Sequence, residues 1–295
     1  MIERLATYGM PLIAFFIGGF FIGYARKFTA RLQNRYGPPI EQFFYDVGKT
    51  LSKARNISHG GMFDVSVMMV VIGPALSIYF VPVFGLKMFA FHGDLIVLMY
   101  LLVIGSLGMA LGAGEAANPN ASIGISRALS MMVGYEIPFV ISVIAIMVVS
   151  KSTNLVDIIA LQQGGIGNWN MVKMPLIFIA SMVALQGKLN EKPFEVVIAP
   201  HEIATGPLVE FGGKYMGFIL INHALHIFVE LALIVDLFLG GGSFFIFLLK
   251  MLAVFTIVLS INGVFGRYKT DTAIKVFWRW PTIFAVLNFI WILYK

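Results

Sequence analysis

The sequence predicts an all-α, polytopic membrane protein of about eight transmembrane helices, and three observations carry that expectation. Of 295 residues, 59% are hydrophobic and only 12% are charged, about half the charged share of an ordinary soluble domain. The mean hydropathy is +0.87. Apolar runs recur at about 8–25, 62–84, 94–112, 122–149, 172–187, 214–239, 243–264 and 277–294, near the roughly 20 residues needed to cross about 30 Å of hydrocarbon. A spanning segment must satisfy its own backbone hydrogen bonds, so such runs fold as helices. A large soluble domain is excluded, and residues 1–295 read as one integral membrane domain.

The first run is followed by Tyr24-Ala25-Arg26-Lys27 where a signal-peptide cleavage site would need small residues, so it reads as an uncleaved helix. The connection after it, about 26–61, is patterned: Ile40, Phe43, Phe44, Val47 and Leu51 recur at helical spacing while Glu41, Lys49 and Lys53 fall elsewhere. That describes an amphipathic interfacial helix, serving either as a membrane anchor or as a platform for a partner. Pro11, Pro74, Pro138 and Pro175 fall within the runs and are expected to kink them. The connections at about 113–121 and 265–276 are short. The one at about 188–213 is too apolar for a free loop, with Phe194, Val196, Val197, Ile198, Leu208, Val209 and Phe211, and is expected to fold back near membrane depth.

Positive charge stays preferentially in the cytoplasm, and fifteen of the 21 Lys and Arg residues fall in or beside the odd-numbered connections. Arg4, Lys87, Lys151, Lys173 and Lys295 lie at the termini and even-numbered connections, and Lys250 lies inside a run. The expected arrangement is a multi-pass cell-membrane protein with both termini outside. Its excess of positive charge suits a membrane surface rather than nucleic acid.

Cysteine is absent, which removes thiolate ligands for iron–sulfur clusters and c-type haem. No catalytic centre and no metal site is expected in this chain. Ionisable groups inside spans are costly and therefore candidates for function. The sixth run carries His223, His226 and Glu230 at i, i+3 and i+7, on one helix face. A metal site is conceivable from this spacing but lacks a fourth ligand, which leaves a hydrated relay or a packing cluster for these three. Asp236 and Lys250 flank Gly240-Gly241-Gly242, and Lys250 is expected to pair with Asp236 or Glu230, either as a structural ion pair or as a proton-exchanging one. Glu136 follows Tyr135 within the fourth run, Glu115 ends the third, and Glu191, Glu195, His201, Glu202 and Glu210 populate the fifth connection.

The run from Ala30 through Arg31, Gln33, Asn34, Arg35, Tyr36 and Gly37 to Pro38, followed by Gln42, Asp46 and Lys49, resembles the signature after the first helix of the heel-type membrane subunit of respiratory complex I, in the NADH-quinone oxidoreductase family. The resemblance continues through Arg127, Tyr135-Glu136, Pro193-Phe194-Glu195, Glu202, Glu210 and Gly266-Arg267-Tyr268. The stretch from Gly206 to Gly213 looks closer to the versions in energy-converting, membrane-bound nickel–iron hydrogenases and the related sulfane sulfur reductase. Ile198 and Pro200 stand where the family usually places carboxylates, and Glu195 stands where it has an aspartate. The thinner acidic cluster favours the sulfane reductase relative at least as much as the hydrogenase.

The resemblance implies a non-catalytic subunit of a ferredoxin-linked, ion-translocating respiratory complex. Iron–sulfur clusters and a nickel–iron centre would sit in peripheral subunits, with antiporter-like membrane subunits alongside and ferredoxin reached only indirectly. Arg31, Arg35, Asp46, Lys49, Lys53 and Arg267 are the expected docking residues for the peripheral arm. Glu115, Glu136, Glu195, Glu202, Glu210, His223, His226, Glu230, Asp236 and Lys250 are the expected proton or coupling path. The rival readings are a quinone-reducing subunit, a stand-alone secondary transporter and an inert structural anchor. No internal repeat supports the transporter.

Overall fold

A computed structural model of the chain describes residues 8–55, 60–86, 88–116 and 118–294, apart from the side chains of Pro200 and His201. Arg4, Lys87 and Lys295 of the charge count, and the imidazole of His201, lie outside the described residues. The fold is all-helical. Its helices are α1 (Met10–Leu32), the interfacial α2 (Gln42–Leu51), α3 (Gly61–Ser77), α4 (Asp94–Glu115), α5 (Pro119–Ser150), the short α6 (Leu155–Ala160) and α7 (Asn170–Lys173), α8 (Pro175–Lys188), the single turn α9 (Pro200–Ile203), α10 (Lys214–Phe238), α11 (Phe244–Val264) and α12 (Thr270–Leu293).

Among the described residues, seven helices are long and apolar enough to cross a membrane, and α8 is shorter. Its 14 residues cover about 21 Å at 1.5 Å per residue, and with α7 just before it this segment occupies the expected fifth run. Lys188 at its end is buried.

Two further boundaries, and the roles of two prolines, differ from expectation. Helix α1 runs on to Leu32, carrying Arg26, Lys27 and Arg31, because Phe28 and Leu32 continue its apolar face and cations suit a helix C-terminus. Helix α12 begins at Thr270, so most of the expected connection 265–276 is helical. Pro11 and Pro175 occupy first-turn positions, where the missing N–H costs nothing. Pro74, Pro138 and Pro281 lie within helices. The carbonyl of Phe277, which Pro281 cannot engage, accepts from the Thr282 hydroxyl at 3.0 Å.

Helix α10 is the axis of the bundle. Residues Ala224, Leu225 and Ile227–Phe238 are buried without interruption, as a helix apolar on all sides requires. Helices α1, α2, α3, α8 and α11 pack against it, while α5, α8 and α12 form a second group beside it. Helices α3 and α4 make the tightest hairpin, since any side chain at Gly108 would run into the backbone of Ser66 and Val70. The interfacial helix buries Phe43 and Val47, and Phe44 meets Phe15, Phe16 and Phe20 of α1.

Contacts sort the connections into two ends. Arg127 with Glu202, Arg267 with Glu195, Asn262 with Glu191, and the backbone bridge from Arg55 to Gly213 gather the odd-numbered connections at one end. Asp94 accepting from the Leu155 N–H, and Gln162 donating to the Asp236 carbonyl, gather the even-numbered ones at the other.

Candidate functional site

Lys188 is the centre of the most polar site within the bundle. Its ammonium lies 2.9 Å from Glu136 Oε1 of α5 and 3.2 Å from Glu230 Oε1 of α10. Side-chain exposure is 4% for Lys188, 22% for Glu136 and 1% for Glu230, so this triad is shielded from bulk solvent. The ammonium also lies 4.4 Å from the Phe139 ring centroid and 5.9 Å from that of Tyr135, faces that attract cations. His226 Nε2 donates to the Lys188 carbonyl at 3.2 Å, closing the C-terminus of α8 onto α10.

The histidine seam is therefore real in part. His226 and Glu230 both face α8, but Glu230 is drawn to Lys188 rather than toward the imidazoles. Among the described residues no cluster of His, Asp and Glu could hold a metal ion. A cavity of about 410 Å³ lies against the triad, lined by Tyr135, Lys188, Asn222, His223 and His226 on its polar side and by methionines such as Met109 on its apolar side. It is large enough and polar enough at that side to hold water.

Lys250 departs from expectation. It contacts neither expected carboxylate: its ammonium donates to the carbonyls of Leu239 and Gly241 at 2.6 and 2.7 Å and sits 4.3 Å from the Trp169 ring centroid. Gly240, Gly241 and Gly242 adopt φ of 68°, 60° and 147°, conformations favouring glycine, and turn these carbonyls toward the lysine. Gln162 donates to the Asp236 carbonyl, Asn170 to that of Leu237 and Gln163 to that of Gly240. The group is a side-chain cap on the C-terminus of α10, where orphan carbonyls and the helix dipole favour a cation. Asp236 is fully buried, and neither carboxylate oxygen has a hydrogen-bond partner.

The remaining expected residues lie toward the odd-numbered end. Glu195 accepts from Arg267 at 3.0 Å and Glu202 from Arg127 at 2.7 Å. Arg127's hydrogen bond and charge pull the Glu202 carboxyl down more than burial pushes it up, so it stays below the usual carboxylate range. Arg267, one of the expected docking residues, is partly buried and paired with Glu195. Glu115 is exposed at the end of α4, and Glu210 ends a 3-10 turn over Gly206–Glu210.

Asp46 accepts from Arg26 at 2.9 Å and from Gln42 at 3.1 Å. Arg31 lies over the Tyr36 ring, and Arg35 donates to Gln33. Arg31, Arg35, Lys49 and Lys53 are exposed. They form an outward basic edge beside α2.

Sequence reasoning misses two residues of these sites. By position along the chain Lys188 belongs with the cytoplasmic basic residues, and no pattern in the sequence marks it as buried. Arg26 falls in the same group, yet it meets Asp46 only because the chain reverses between α1 and α2, a contact that no sequence period announces.

A family model described as NADH dehydrogenase matches residues 6–293. The chain belongs to that family. This family member is similar to the H subunit of NADH-quinone oxidoreductase from Geobacillus sp. (strain WCH70), 28% identical with 95% of this chain and 91% of the relative covered. It is similar to the same protein of Geobacillus kaustophilus (strain HTA426), 28% identical with 90% and 85% covered. Among solved structures, a chain of the membrane-bound sulfane sulfur reductase, an archaeal respiratory membrane complex, is 34% identical with a TM-score of 0.92, covering 98% of this chain and 99% of that chain.

Proposed function

We propose that this chain is the membrane subunit that anchors the peripheral redox arm of a ferredoxin-linked respiratory complex of the sulfane sulfur reductase or membrane-bound hydrogenase type, and couples electron transfer to ion pumping. The observation that carries the coupling role is the Lys188 triad. One ammonium shared by two carboxylates from different helices can lean toward either, and each proton gained or lost by a carboxylate changes which pairing is favoured. Such a bistable element links a charge change at one site to helix positions elsewhere. Glu136, Lys188, Glu230 and His226 form its core, with Glu195, Glu202 and Glu210 leading to the odd-numbered end and Asp236 and Lys250 serving the α10 cap.

Docking falls to Arg31, Arg35, Lys49 and Lys53, whose exposed cations suit carboxylates on a cytoplasmic partner. The odd-numbered end then faces the cytoplasm and the termini face outward. Redox metal centres belong to the partner subunits, since this chain has no thiolate to hold a cluster.

The test is the purified complex, assayed with polysulfide, protons and a quinone as alternative acceptors and reconstituted into vesicles. Glu136→Gln and Glu230→Gln are expected to lower ions moved per electron while the partner's metal centres remain reducible. Unchanged pumping in assembled variants would reduce the triad to packing. Quinone turnover in place of the other acceptors would transfer the chain to the quinone-reducing class.

A further inference from the structure

The fifth connection carries a carboxylate that neither the triad nor the docking edge accounts for. Glu191 lines the interior cavity with Lys188, Tyr135 and His226. It also lines a separate cleft of about 420 Å³ at the odd-numbered end, bounded by Arg26, Thr29, Gln33, Arg35 and Asn262. Among the described residues, Glu191 is the one side chain common to both linings. Its Oε2 accepts from Asn262 of α11 at 2.5 Å, which holds the carboxyl at the boundary and leaves its second oxygen for water.

We propose that Glu191 is the proton-exchange group between the two spaces, taking a proton from water in the outer cleft and giving it to water in the inner cavity beside the Lys188 triad. The proposal rests on the coupling role argued above. Uptake turns hydronium and a carboxylate into water and a carboxylic acid, and release reverses this. Only O–H bonds form and break, and no electron moves.

The surroundings suit the task. Burial raises the carboxyl, the Glu195 charge raises it further, and the Lys192 charge and the Asn262 hydrogen bond only partly oppose this, so it titrates at about 7. A group poised near the working pH exchanges protons in both directions. Glu195 is itself paired with Arg267, and across the cleft Arg26 is already engaged by Asp46, leaving Arg35 as the cleft's other guanidinium. On the cavity side the facing titratable groups are Lys188, Tyr135, His223 and His226. Arg35 of the basic edge lines the cleft, so an arm docked on that residue would lie at the mouth of the proton route and tie its access to assembly.

The experiment uses the purified complex with Glu191→Gln, Glu191→Asp and, in parallel, Lys188→Met. Infrared pH-difference spectra should show a protonated-carboxyl band titrating at about 7 that Glu191→Gln removes. Proton translocation in vesicles at neutral pH should fall about 100-fold in Glu191→Gln, with Glu191→Asp recovering part of it, the range expected for loss of a positioned proton carrier. Persistence of the band in Glu191→Gln overturns the proposal. So does translocation within about twofold of wild type in Glu191→Gln while Lys188→Met is impaired, and in that case the coupling role of the triad stands. If both variants pump normally, the coupling role itself falls, and the exchange role of Glu191 falls with it.

Discussion

Lys188 and Lys250 both carry an ammonium into the bundle, yet they are solvated by different chemistry. Lys188 rests on carboxylates contributed by two other helices, whereas Lys250 rests on carbonyls of the turn nine and eleven residues before it. Carbonyl dipoles are fixed once the chain folds and do not titrate. Carboxylates do. The difference separates a cation that completes a helix end from one whose pairing responds to proton occupancy, although the two look alike in sequence as charges interrupting apolar runs.

The largest effect that can break this distinction lies at Lys188. Lys188→Met strands the buried Glu230 and the half-buried Glu136, and removing one partner of a buried ion pair costs about 3–5 kcal/mol. The triple substitution Lys188→Met, Glu136→Gln and Glu230→Gln removes the stranded charges and should recover most of that loss, because an apolar or neutral replacement of an entire buried ion pair is often neutral or better. Thermal inactivation of the purified complex measures both. A triple variant no more stable than the single one would mean that Lys188 stabilises by packing and not by charge.

A smaller effect sharpens the other half of the comparison. Lys250→Met leaves the Leu239 and Gly241 carbonyls without their charged donor, for about 1–3 kcal/mol, and Asp236→Asn should change stability by less because that carboxyl has no hydrogen bond to lose. Both variants should keep wild-type ions per electron. A loss of pumping in the assembled Asp236→Asn complex would return this end of α10 to the ion path.

Sequence reasoning reaches the fold closely because the signals there are local. Phe43, Phe44 and Val47 announce the interfacial helix by spacing, and the long apolar runs announce the spans by length. It reaches one side of the site, since His226 and Glu230 share a helix face whatever surrounds them. The partner of Glu230 is out of its reach. Proximity along the chain points to Lys250, but the carbonyls freed by the three-glycine turn claim that lysine, and Lys188 arrives from α8, which packs on both α5 and α10. Glu191 is visible only as one acid among several. Its position between two cavities depends on how α1, α8 and α11 meet, which no periodicity encodes.

The smallest effect concerns the exposed counterpart of these buried pairs, Arg26 with Asp46. Their side chains are 37% and 33% exposed, so water competes for both and salt screens them. Burial pushes the Asp46 carboxyl up, but hydrogen bonds from Arg26 and Gln42, with the charges of Arg26 and Lys49, outweigh it and hold the group below the usual carboxylate range. A lowered carboxyl contributes stability that is present above its unfolded value of 3.8 and is lost as the pH falls through the folded value. Asp46→Asn should therefore cost less than about 1 kcal/mol at neutral pH, and the difference from wild type should shrink in high salt and vanish below the folded value. Melting curves of the complex across pH and ionic strength test this. A cost rivalling that of Lys188→Met, unaffected by salt, would show that the docking edge is shielded by a partner in the assembled complex and that exposure in the isolated subunit understates what the pair does there.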